Sequence, residues 1–313
     1  MSRAFVFPGQ GSQAVGMGAN LADAFSTARL VFEEVDDALG QNLSRLMFQG
    51  PDDELILTEN AQPALMAVSL ATVRVLESEA GIQLADKGQL MAGHSLGEYS
   101  ALAAGGALSL ADTARLLKRR GQAMQAAVPV GEGAMAALLG LDIEAARDVA
   151  AEAADGQVCS PANDNAPGQV VLSGHKEAVE RAIALAPERG AKRSVLLPVS
   201  APFHCALMAP AADVMAEALA EVTLQAPALP LIANVTAAQV QAPETIRQLL
   251  VEQVTGMVRW RESVLAMAEA GVENLVELGT GKVLSGLTRR IERSLTASSV
   301  GTPADLEALV GTL

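Results

Sequence analysis

The stretch GHSLG at positions 93–97 constrains the fold of this chain more than any other. It follows a short apolar segment, Gln89–Ala92, and precedes a segment typical of a helix. The pattern G-x-S-x-G between a strand and a helix predicts a sharp turn that exposes the serine hydroxyl at the carboxyl end of the strand. Such a turn needs small neighbours, which Gly93 and Gly97 supply. The stretch predicts an α/β fold with Ser95 as a candidate nucleophile; the alternative is an ordinary strand–helix turn that contains a serine.

The first and last parts of the chain alternate apolar and amphipathic segments, which predicts a largely parallel sheet covered by helices. In the first part we expect a strand at Ala4–Phe7, a mostly helical segment at Leu21–Leu39, and a long helix at Gln62–Ser78. In the last part we expect strands at Leu231–Val235 and Asn274–Leu278, and helices at Pro210–Glu221, Thr245–Val254, Arg261–Ala270 and Val283–Glu292.

The middle of the chain has a different order of elements. We expect strands at Ala134–Leu139, Gln157–Ser160, Gln169–Leu172 and Ser194–Val199, helices at Ile143–Ala154 and Lys176–Leu185, and a loop over Pro161–Gly168. This β-α-β-β-α-β order is that of a ferredoxin-like unit. The sequence therefore predicts a hydrolase-like main α/β domain, residues 1–129 and 200–313, with an inserted ferredoxin-like subdomain at residues 130–199.

Net charge, apolar stretches, the first residues and the cysteines each argue against a class of protein. The net charge of −14 argues against nucleic acid as a partner. No apolar stretch is long enough to span a membrane, and Met1-Ser2-Arg3 leads into a strand without a signal-peptide pattern. The two cysteines, Cys159 and Cys205, form neither a disulfide framework nor a metal-binding spacing. We expect a cytoplasmic protein without a metal site.

A serine nucleophile needs a base, and the chain has three histidines. His94 adjoins Ser95 and is expected to pack beneath the turn, while His175 opens a helix of the inserted unit. His204, at the return to the main domain, remains by elimination. Cys205 beside it is a rival nucleophile, which we discount because adjacent side chains rarely form an attacking pair.

The orientation of the base is a separate question. In hydrolases of this type the acidic residue of the triad lies between the serine and the histidine in the chain. No acidic residue between Ser95 and His204 ends a predicted strand of the main sheet. We therefore expect a serine–histidine dyad whose imidazole is oriented by something other than a carboxylate.

The opening loop in FVFPGQGSQA, residues 5–14, matches the dinucleotide pattern G-x-G-x-x-G/A. That pattern requires a helix to begin directly on the loop so that its N-terminus meets the phosphate. Here Gly16 and Gly18 follow, and a convincing helical pattern begins only near Asn20. The pyrophosphate interpretation is therefore weak, and the fragment Gly281-Lys282 lacks the other residues of a phosphate loop.

Several stretches together resemble the malonyl-CoA:acyl carrier protein transacylases and, more broadly, the acyltransferase domains of polyketide synthases. They cover almost the whole chain: FPGQGSQ (7–13), ENAQPAL (59–65), GHSLGEYSAL (93–102), RGQAMQ (120–125), NAPGQVV (165–171), PFHCALM (202–208), VEQV and VRW (within 251–260) and ELGTGKVLSGL (277–287).

The resemblance implies a role for each matched residue. Ser95 would be the acylated nucleophile and His204 the general base, oriented by the main-chain carbonyl of Gln253. The backbone amides of Gln10 and Leu96 would form the oxyanion hole. The glycines of the opening loop would then let the backbone approach a reacting carbonyl rather than a pyrophosphate.

Arg120 would bind the free carboxylate of a malonyl group. A guanidinium can pair with a carboxylate through two parallel hydrogen bonds, and an acetyl group would leave that charge unpaired. Without the resemblance, Arg120 would be one more arginine of the basic segment Lys118–Arg120. Phe203 would help to shape the acyl pocket.

The resemblance also implies the partners, which are malonyl-CoA and acyl carrier protein, with the chain acting as a monomer. No cofactor is expected, because the coenzyme A thioester is a substrate. Since carrier proteins of this pathway are acidic, docking would need a basic patch, for which we favour Arg289 and Arg290, with Lys118 and Arg119 second. The alternatives are a trans-acting acyltransferase of a polyketide synthase, a serine thioesterase or esterase, and a non-catalytic module that binds carrier protein.

Overall fold

The alternating segments form two sheets flanked by helices in the computed structural model, which describes residues 2–312. The strands are β1 (Arg3–Phe7), β2 (Leu90–Gly93), β3 (Gly133–Leu139), β4 (Cys159–Ala166), β5 (Gln169–His175), β6 (Arg193–Leu196), β7 (Leu231–Ile232), β8 (Gln239–Val240), β9 (Asn274–Leu278) and β10 (Thr296–Val300). The α-helices are α1 (Ala19–Ala24), α2 (Ser26–Leu39), α3 (Leu43–Gln49), α4 (Asp52–Leu55), α5 (Thr58–Ala80), α6 (Leu84–Lys87), α7 (Gly97–Ala104), α8 (Leu110–Ala126), α9 (Ile143–Ala154), α10 (Lys176–Leu185), α11 (Ala209–Ala220), α12 (Pro243–Thr255), α13 (Trp260–Glu269), α14 (Val283–Ile291) and α15 (Pro303–Val310).

The main sheet has the strand order β10-β9-β1-β2-β7-β8. Every neighbouring pair is parallel except β7 with β8. Along β1, Phe5 and Phe7 pack into a core with α2, α5, α8 and α11, whereas Ala4 and Val6 face a second core with α13 and α14. Burial on both faces is why the central strands are almost wholly apolar. The prediction of a largely parallel sheet covered by helices is confirmed.

The second sheet has the order β4-β5-β3-β6 and is antiparallel throughout. Its chain order is β3-α9-β4-β5-α10-β6, which is the predicted ferredoxin-like order. Leu138, Val170 and Leu172 pack with apolar side chains of α9 and α10 into a core of their own. The boundaries at residues 130 and 199 remain a prediction.

The predicted loop over Pro161–Gly168 is wrong, because β4 continues to Ala166 and the turn contains only Pro167 and Gly168. Strand β4 lies at the edge of its sheet and has two irregularities in its pairing with β5. An edge position and a bulge are where a sheet tolerates proline and polar residues. The Pro, Asn and Asp residues that indicated a loop therefore lie in an irregular edge strand.

Several helix boundaries also differ from the sequence predictions. The segment Leu21–Leu39 contains two helices, separated at Phe25, whose backbone is extended. The long helix α5 begins at Thr58 rather than Gln62 and has Pro63 inside it. Pro63 is the sixth residue of α5, where its missing N–H leaves one i→i−4 hydrogen bond of the helix unformed. Helix α5 is 23 residues long. No helix within residues 2–312 is long and apolar enough to cross a membrane.

The turn between β2 and α7 depends on glycine for steric reasons. A Cβ on Gly93 would lie 1.9 Å from the carbonyl carbon and oxygen of Gly97 and 2.3 Å from the nitrogen of Glu98. A Cβ on Gly97 would lie 2.3 Å from the carbonyl oxygen of Phe7. Both neighbours are backbone atoms and have no flexible side chain that could move away. The turn can therefore lie against the end of β1 only with glycine at both positions.

We predict that Gly93→Ala prevents the native fold from forming or lowers its thermal unfolding temperature severely, because the added Cβ would overlap backbone atoms. The matched control is Gly286→Ala within α14, where a Cβ would meet no atom within 4 Å. The control should be neutral or stabilise the protein by about 0.5–1 kcal/mol. Thermal unfolding followed by circular dichroism measures both variants. A Gly93→Ala protein that unfolds at the native temperature would contradict the steric argument.

Candidate active site

Ser95 lies on the turn between β2 and α7 in a strained backbone conformation. Its φ is 55°, in the left-handed region that non-glycine residues rarely adopt. Asn234 stabilises this conformation from both sides: its Oδ1 accepts a hydrogen bond from the Ser95 N–H at 2.7 Å, and its Nδ2 donates to the Gly93 carbonyl at 2.7 Å. These two hydrogen bonds fix the turn, and Ser95 lines the cleft described below.

His204 reaches Ser95 from the loop that follows the second sheet. Its Nε2 lies 2.8 Å from the Ser95 Oγ, and its Nδ1 lies 2.9 Å from the backbone carbonyl oxygen of Gln253. Since a carbonyl oxygen only accepts, Nδ1 carries the proton and Nε2 presents its lone pair to the serine hydroxyl. The structure thus brings together the serine, the histidine and the carbonyl that were expected together, and within residues 2–312 the imidazole has no hydrogen bond to a carboxylate.

The other candidate nucleophile and bases have different surroundings. The Nε2 of His94 lies 2.9 Å from Asn165 Oδ1, and its ring lies 5.7 Å from the ring of Trp260. His94 is partly exposed and also lines the cleft that contains Ser95. His175 accepts a hydrogen bond from the backbone N–H of Val158. The thiol of Cys205 is buried and donates to the carbonyl of Pro202. None of these groups contacts the Ser95 hydroxyl.

The environment of His204 favours its neutral form. Burial, followed by the positive charge of Arg120, lowers the pKa of His204 to about 3. The hydrogen bond to the carbonyl of Gln253 acts in the opposite direction. The imidazole is therefore neutral, as a general base must be before it accepts a proton.

Arg120 of α8 is 1% exposed and points towards Ser95. Its Nη1 donates to Gln62 Oε1 at 2.7 Å, and its Nη2 donates to Gln253 Oε1 at 2.9 Å and to the Ser95 Oγ at 3.2 Å. Its Nε has no hydrogen-bond partner within residues 2–312. Besides the serine hydroxyl, the part of the chain that the structure describes offers this guanidinium only the neutral amide oxygens of Gln62 and Gln253 as hydrogen-bond acceptors, and no carboxylate is hydrogen-bonded to it there.

Two buried polar residues beneath the turn, Glu98 and Asn234, were not predicted from the sequence. Glu98 is 1% exposed and accepts hydrogen bonds from the Asn234 N–H and the Gln253 Nε2. Burial raises the pKa of Glu98 to about 7. The only sequence signal for this cluster was an acidic residue among the small and apolar residues GEYSALAA of α7.

Gln10 and Leu96 lie with Ser95 in one cleft of about 550 Å³. Gln10 follows β1 and Leu96 follows β2, and these strands are adjacent and parallel, so their carboxyl ends meet. The Gln10 side chain is held by Thr58, whose hydroxyl donates to its Oε1 at 2.9 Å. The apolar wall of the cleft consists mainly of Met124, Met135, Leu197, Val199 and Phe203.

The basic residues considered for docking differ in exposure and in their ion pairs. Arg289 and Arg290 lie exposed in the last turn of α14, outside the cleft lining, and Arg290 donates to Gln169 Oε1 at 2.7 Å. Lys118 forms an ion pair with Glu59, and Arg119 forms ion pairs with carboxylates of the helix α11 region. Within residues 2–312, no group of three or more His, Cys, Asp and Glu side chains is arranged to hold a metal ion.

The comparison with known families decides the class of this site. The family model described as the acyl transferase domain matches residues 4–313, which is nearly the whole chain. The chain belongs to the acyl transferase domain family. The family resemblance seen in the sequence motifs is thereby confirmed, and the cleft around Ser95 is the candidate active site of an acyltransferase.

Close relatives of this acyltransferase are known in sequence and in structure. The malonyl CoA-acyl carrier protein transacylase of Escherichia coli (strain K12) is 51% identical over 305 residues, which is 97% of each chain. The crystal structure of the acyl-carrier-protein-S-malonyltransferase of Bartonella henselae is 56% identical with a TM-score of 0.97, and covers 100% of this chain and 99% of that one. A type II polyketide synthase acyl-carrier protein in complex with its malonyl-transacylase matches at 46% identity and a TM-score of 0.96 over 100% of both chains.

We predict a pH-dependent contribution of Glu98 to the stability of this acyltransferase. The pKa of Glu98 is about 7 in the folded protein against an ordinary value of 4.5, so the folded state holds the extra proton between these values. The free energy of unfolding contributed by Glu98 therefore falls as pH rises from about 4.5 through about 7. Relative to the native protein, Glu98→Gln should gain stability over this window, at about 1.4 kcal/mol per unit of pKa shift.

Urea unfolding of both proteins between pH 4.5 and pH 8 measures this difference. The exposed carboxylate variant Glu307→Gln, on α15, is the control and should track the native protein. A constant difference between Glu98→Gln and the native protein over the whole range would contradict the prediction.

Proposed function

We propose that this acyltransferase transfers a malonyl group from malonyl-CoA to the phosphopantetheine thiol of acyl carrier protein, supplying fatty acid elongation. The observation that carries this proposal is the buried guanidinium of Arg120, 3.2 Å from the Ser95 Oγ, next to a serine–histidine pair. A serine that forms an ester and a fixed cation beside it fit an acyl group with a free carboxylate. The names of the similar enzymes agree with this substrate and this acceptor.

The first half-reaction loads the acyl group onto the enzyme. His204 Nε2 accepts the Ser95 proton while the Oγ attacks the thioester carbonyl. The oxyanion that forms is stabilised by the backbone amides of Gln10 and Leu96. When the tetrahedral intermediate collapses, the C–S bond breaks, His204 returns the proton to the coenzyme A thiolate, and a malonyl ester of Ser95 remains.

The second half-reaction runs the same steps in reverse order with a new thiol. His204 removes the proton of the phosphopantetheine thiol, the thiolate attacks the ester carbonyl, and Ser95 leaves with the proton from His204. This ping-pong path needs no cofactor in our proposal, because the coenzyme A thioester is a substrate. We further propose that a single copy of the chain performs it in the cytoplasm, with residues 130–199 as the inserted subdomain.

Arg120 gives this mechanism its substrate preference. The malonyl carboxylate can accept hydrogen bonds from the guanidinium, whereas an acetyl group leaves the buried charge without an anion. Unpaired buried charges are costly, so the site disfavours acetyl-CoA. The same cation argues against a general esterase or thioesterase.

Transfer to a polyketide synthase carrier protein is the second candidate function. It is favoured by the similar solved complex of a type II polyketide synthase acyl-carrier protein with its malonyl-transacylase. The chemistry is identical in both pathways. Comparing the rates of malonyl transfer to a fatty acid carrier protein and to a polyketide carrier protein distinguishes them.

We predict that brief mixing with malonyl-CoA adds one malonyl group to the native protein and none to Ser95→Ala. Arg120→Ala should lower the rate of malonylation by about 100-fold, because the substrate carboxylate loses its buried partner. It should leave the rate of acetylation unchanged or raise it, because the charge that disfavours an acetyl group is gone. The matched control is Arg119→Ala on the same helix, whose side chain pairs with Glu217 and Glu221 at the surface. Intact-mass spectrometry after rapid quenching measures each rate.

Two outcomes of this experiment would contradict the proposal. Native protein that forms no adduct and releases no free acid would be a carrier-binding module rather than an enzyme. Rapid release of malonate without transfer to carrier protein would indicate a hydrolase.

For carrier protein docking we propose the exposed pair Arg289 and Arg290. Changing both to Glu should raise the KM for an acidic carrier protein about tenfold and leave the malonylation rate with malonyl-CoA unchanged, because surface charges act mainly on association. The control is the corresponding change at Arg74, an exposed arginine of α5 that pairs with Glu77 and was not considered for docking. Steady-state transfer kinetics at low salt measure both. An unchanged KM in the Arg289 and Arg290 variant would refute this docking site.

A further inference from the structure

Glu98 is a buried carboxylate that the proposed mechanism does not use. It lies in the first turn of α7, three residues after Ser95. Its Oε2 accepts the N–H of Asn234 at 3.0 Å and the Nε2 of Gln253 at 2.9 Å. A buried carboxylate is costly unless it is well hydrogen-bonded, so the two donors that satisfy it are also fixed by it.

The side-chain amide of Gln253 links Glu98 to Arg120. Its Nε2 donates to Glu98 and to the Ser95 carbonyl at 3.0 Å, while its Oε1 accepts from Arg120 Nη2 at 2.9 Å. Rotating this amide by 180° would place its NH2 group against the guanidinium and its oxygen against two acceptors. The Oε2 of Glu98 accepts two hydrogen bonds, so a proton held by Glu98 would lie on its other oxygen, and Oε2 remains an acceptor in both protonation states. Glu98 therefore selects the orientation in which an oxygen faces Arg120.

On its other side, the guanidinium of Arg120 also donates to a glutamine amide that a buried side chain orients. Gln62 Oε1 accepts from Nη1, and the Nε2 of Gln62 donates to the Thr58 hydroxyl at 2.9 Å. Arg120 is thus held between two amides, each oriented by a buried partner. Neutral acceptors position the guanidinium and leave its positive charge for the substrate.

We propose that Glu98 is a positioning residue that fixes the Gln253 amide and, through it, the guanidinium of Arg120. This inference rests on the proposed function, in which Arg120 binds the substrate carboxylate. Its specific consequence is that Glu98 contributes to the preference for malonyl over acetyl groups without touching either. A contribution to the Ser95 turn alone would affect both acyl groups equally.

The experiment compares the rates of Ser95 acylation by malonyl-CoA and by acetyl-CoA, followed by quenched-flow mass spectrometry. Glu98→Met removes the acceptor of both hydrogen bonds at similar size and should lower the malonylation rate about tenfold, the usual effect of losing a hydrogen bond to a charged group such as the one from Gln253. The malonyl-to-acetyl rate ratio should fall with it. Glu98→Gln keeps an oxygen that can accept both hydrogen bonds and should restore most of the native ratio. The matched control is Ser100→Ala, a buried residue of the same helix, which should keep the native ratio.

A double-mutant cycle identifies the route of the effect. In a Gln253→Ala background, which keeps the backbone carbonyl, Glu98→Met should change the rate ratio no further. If Glu98→Met does not fold, Glu98→Asp serves instead, because its shorter carboxylate withdraws from Gln253 and should also lower the ratio.

Three results would overturn the proposal while leaving the proposed function intact. They are an equal loss of both acylation rates, an unchanged ratio in the variant that folds, and an undiminished effect of Glu98→Met in the Gln253→Ala background. Failure of the proposed function is detected separately: the native protein would then form no malonyl adduct. That result would remove the basis of the proposed function and of the role of Glu98.

Discussion

The hydrogen bonds between Asn234 and the two sides of the Ser95 turn are the interaction on which the rest of the site depends. A non-glycine residue with a φ of 55° costs about 1–3 kcal/mol. Two hydrogen bonds of 2.7 Å to a fully buried amide offset this cost, and the close contact between Gly93 and Gly97 leaves no alternative path for the chain. The serine hydroxyl, the cleft and the amide of Leu96 take their positions from this turn.

Asn234, Gln253 and Glu98 remain buried beneath the turn because each is oriented and hydrogen-bonded by its neighbours. Gln253 is the residue that joins them: its backbone carbonyl orients His204, its Nε2 contacts the Ser95 carbonyl, and its Oε1 holds Arg120. A buried network of this kind specifies one arrangement, since losing one partner leaves the others unpaired. The base, the nucleophile and the cation therefore share one residue of α12 as a common hydrogen-bond partner.

The sequence predicted the elements and residues whose signals are local, and it missed those whose role depends on distant partners. Ser95 was found because G-x-S-x-G and its flanking segments are contiguous, and His204 because few histidines were available. Glu98 and Asn234 form their contact across 136 positions, so no spacing rule could indicate it. The part of β4 from Pro161 onwards was predicted as a loop for the same reason, because only its pairing with β5 shows that these residues lie in a sheet.

Orientation of the base by a carbonyl, rather than by a carboxylate, has an electrostatic consequence for the proposed reaction. A carboxylate would stabilise the imidazolium that forms during proton transfer, but the carbonyl of Gln253 is neutral, and the charge of Arg120 lowers the pKa of His204 further. A malonyl carboxylate bound to Arg120 would neutralise that charge and so make His204 a stronger base. An acetyl group has no such effect, so the guanidinium would disfavour acetyl transfer twice, in binding and in proton transfer. Under this mechanism the negative charge missing from the dyad is supplied by the substrate.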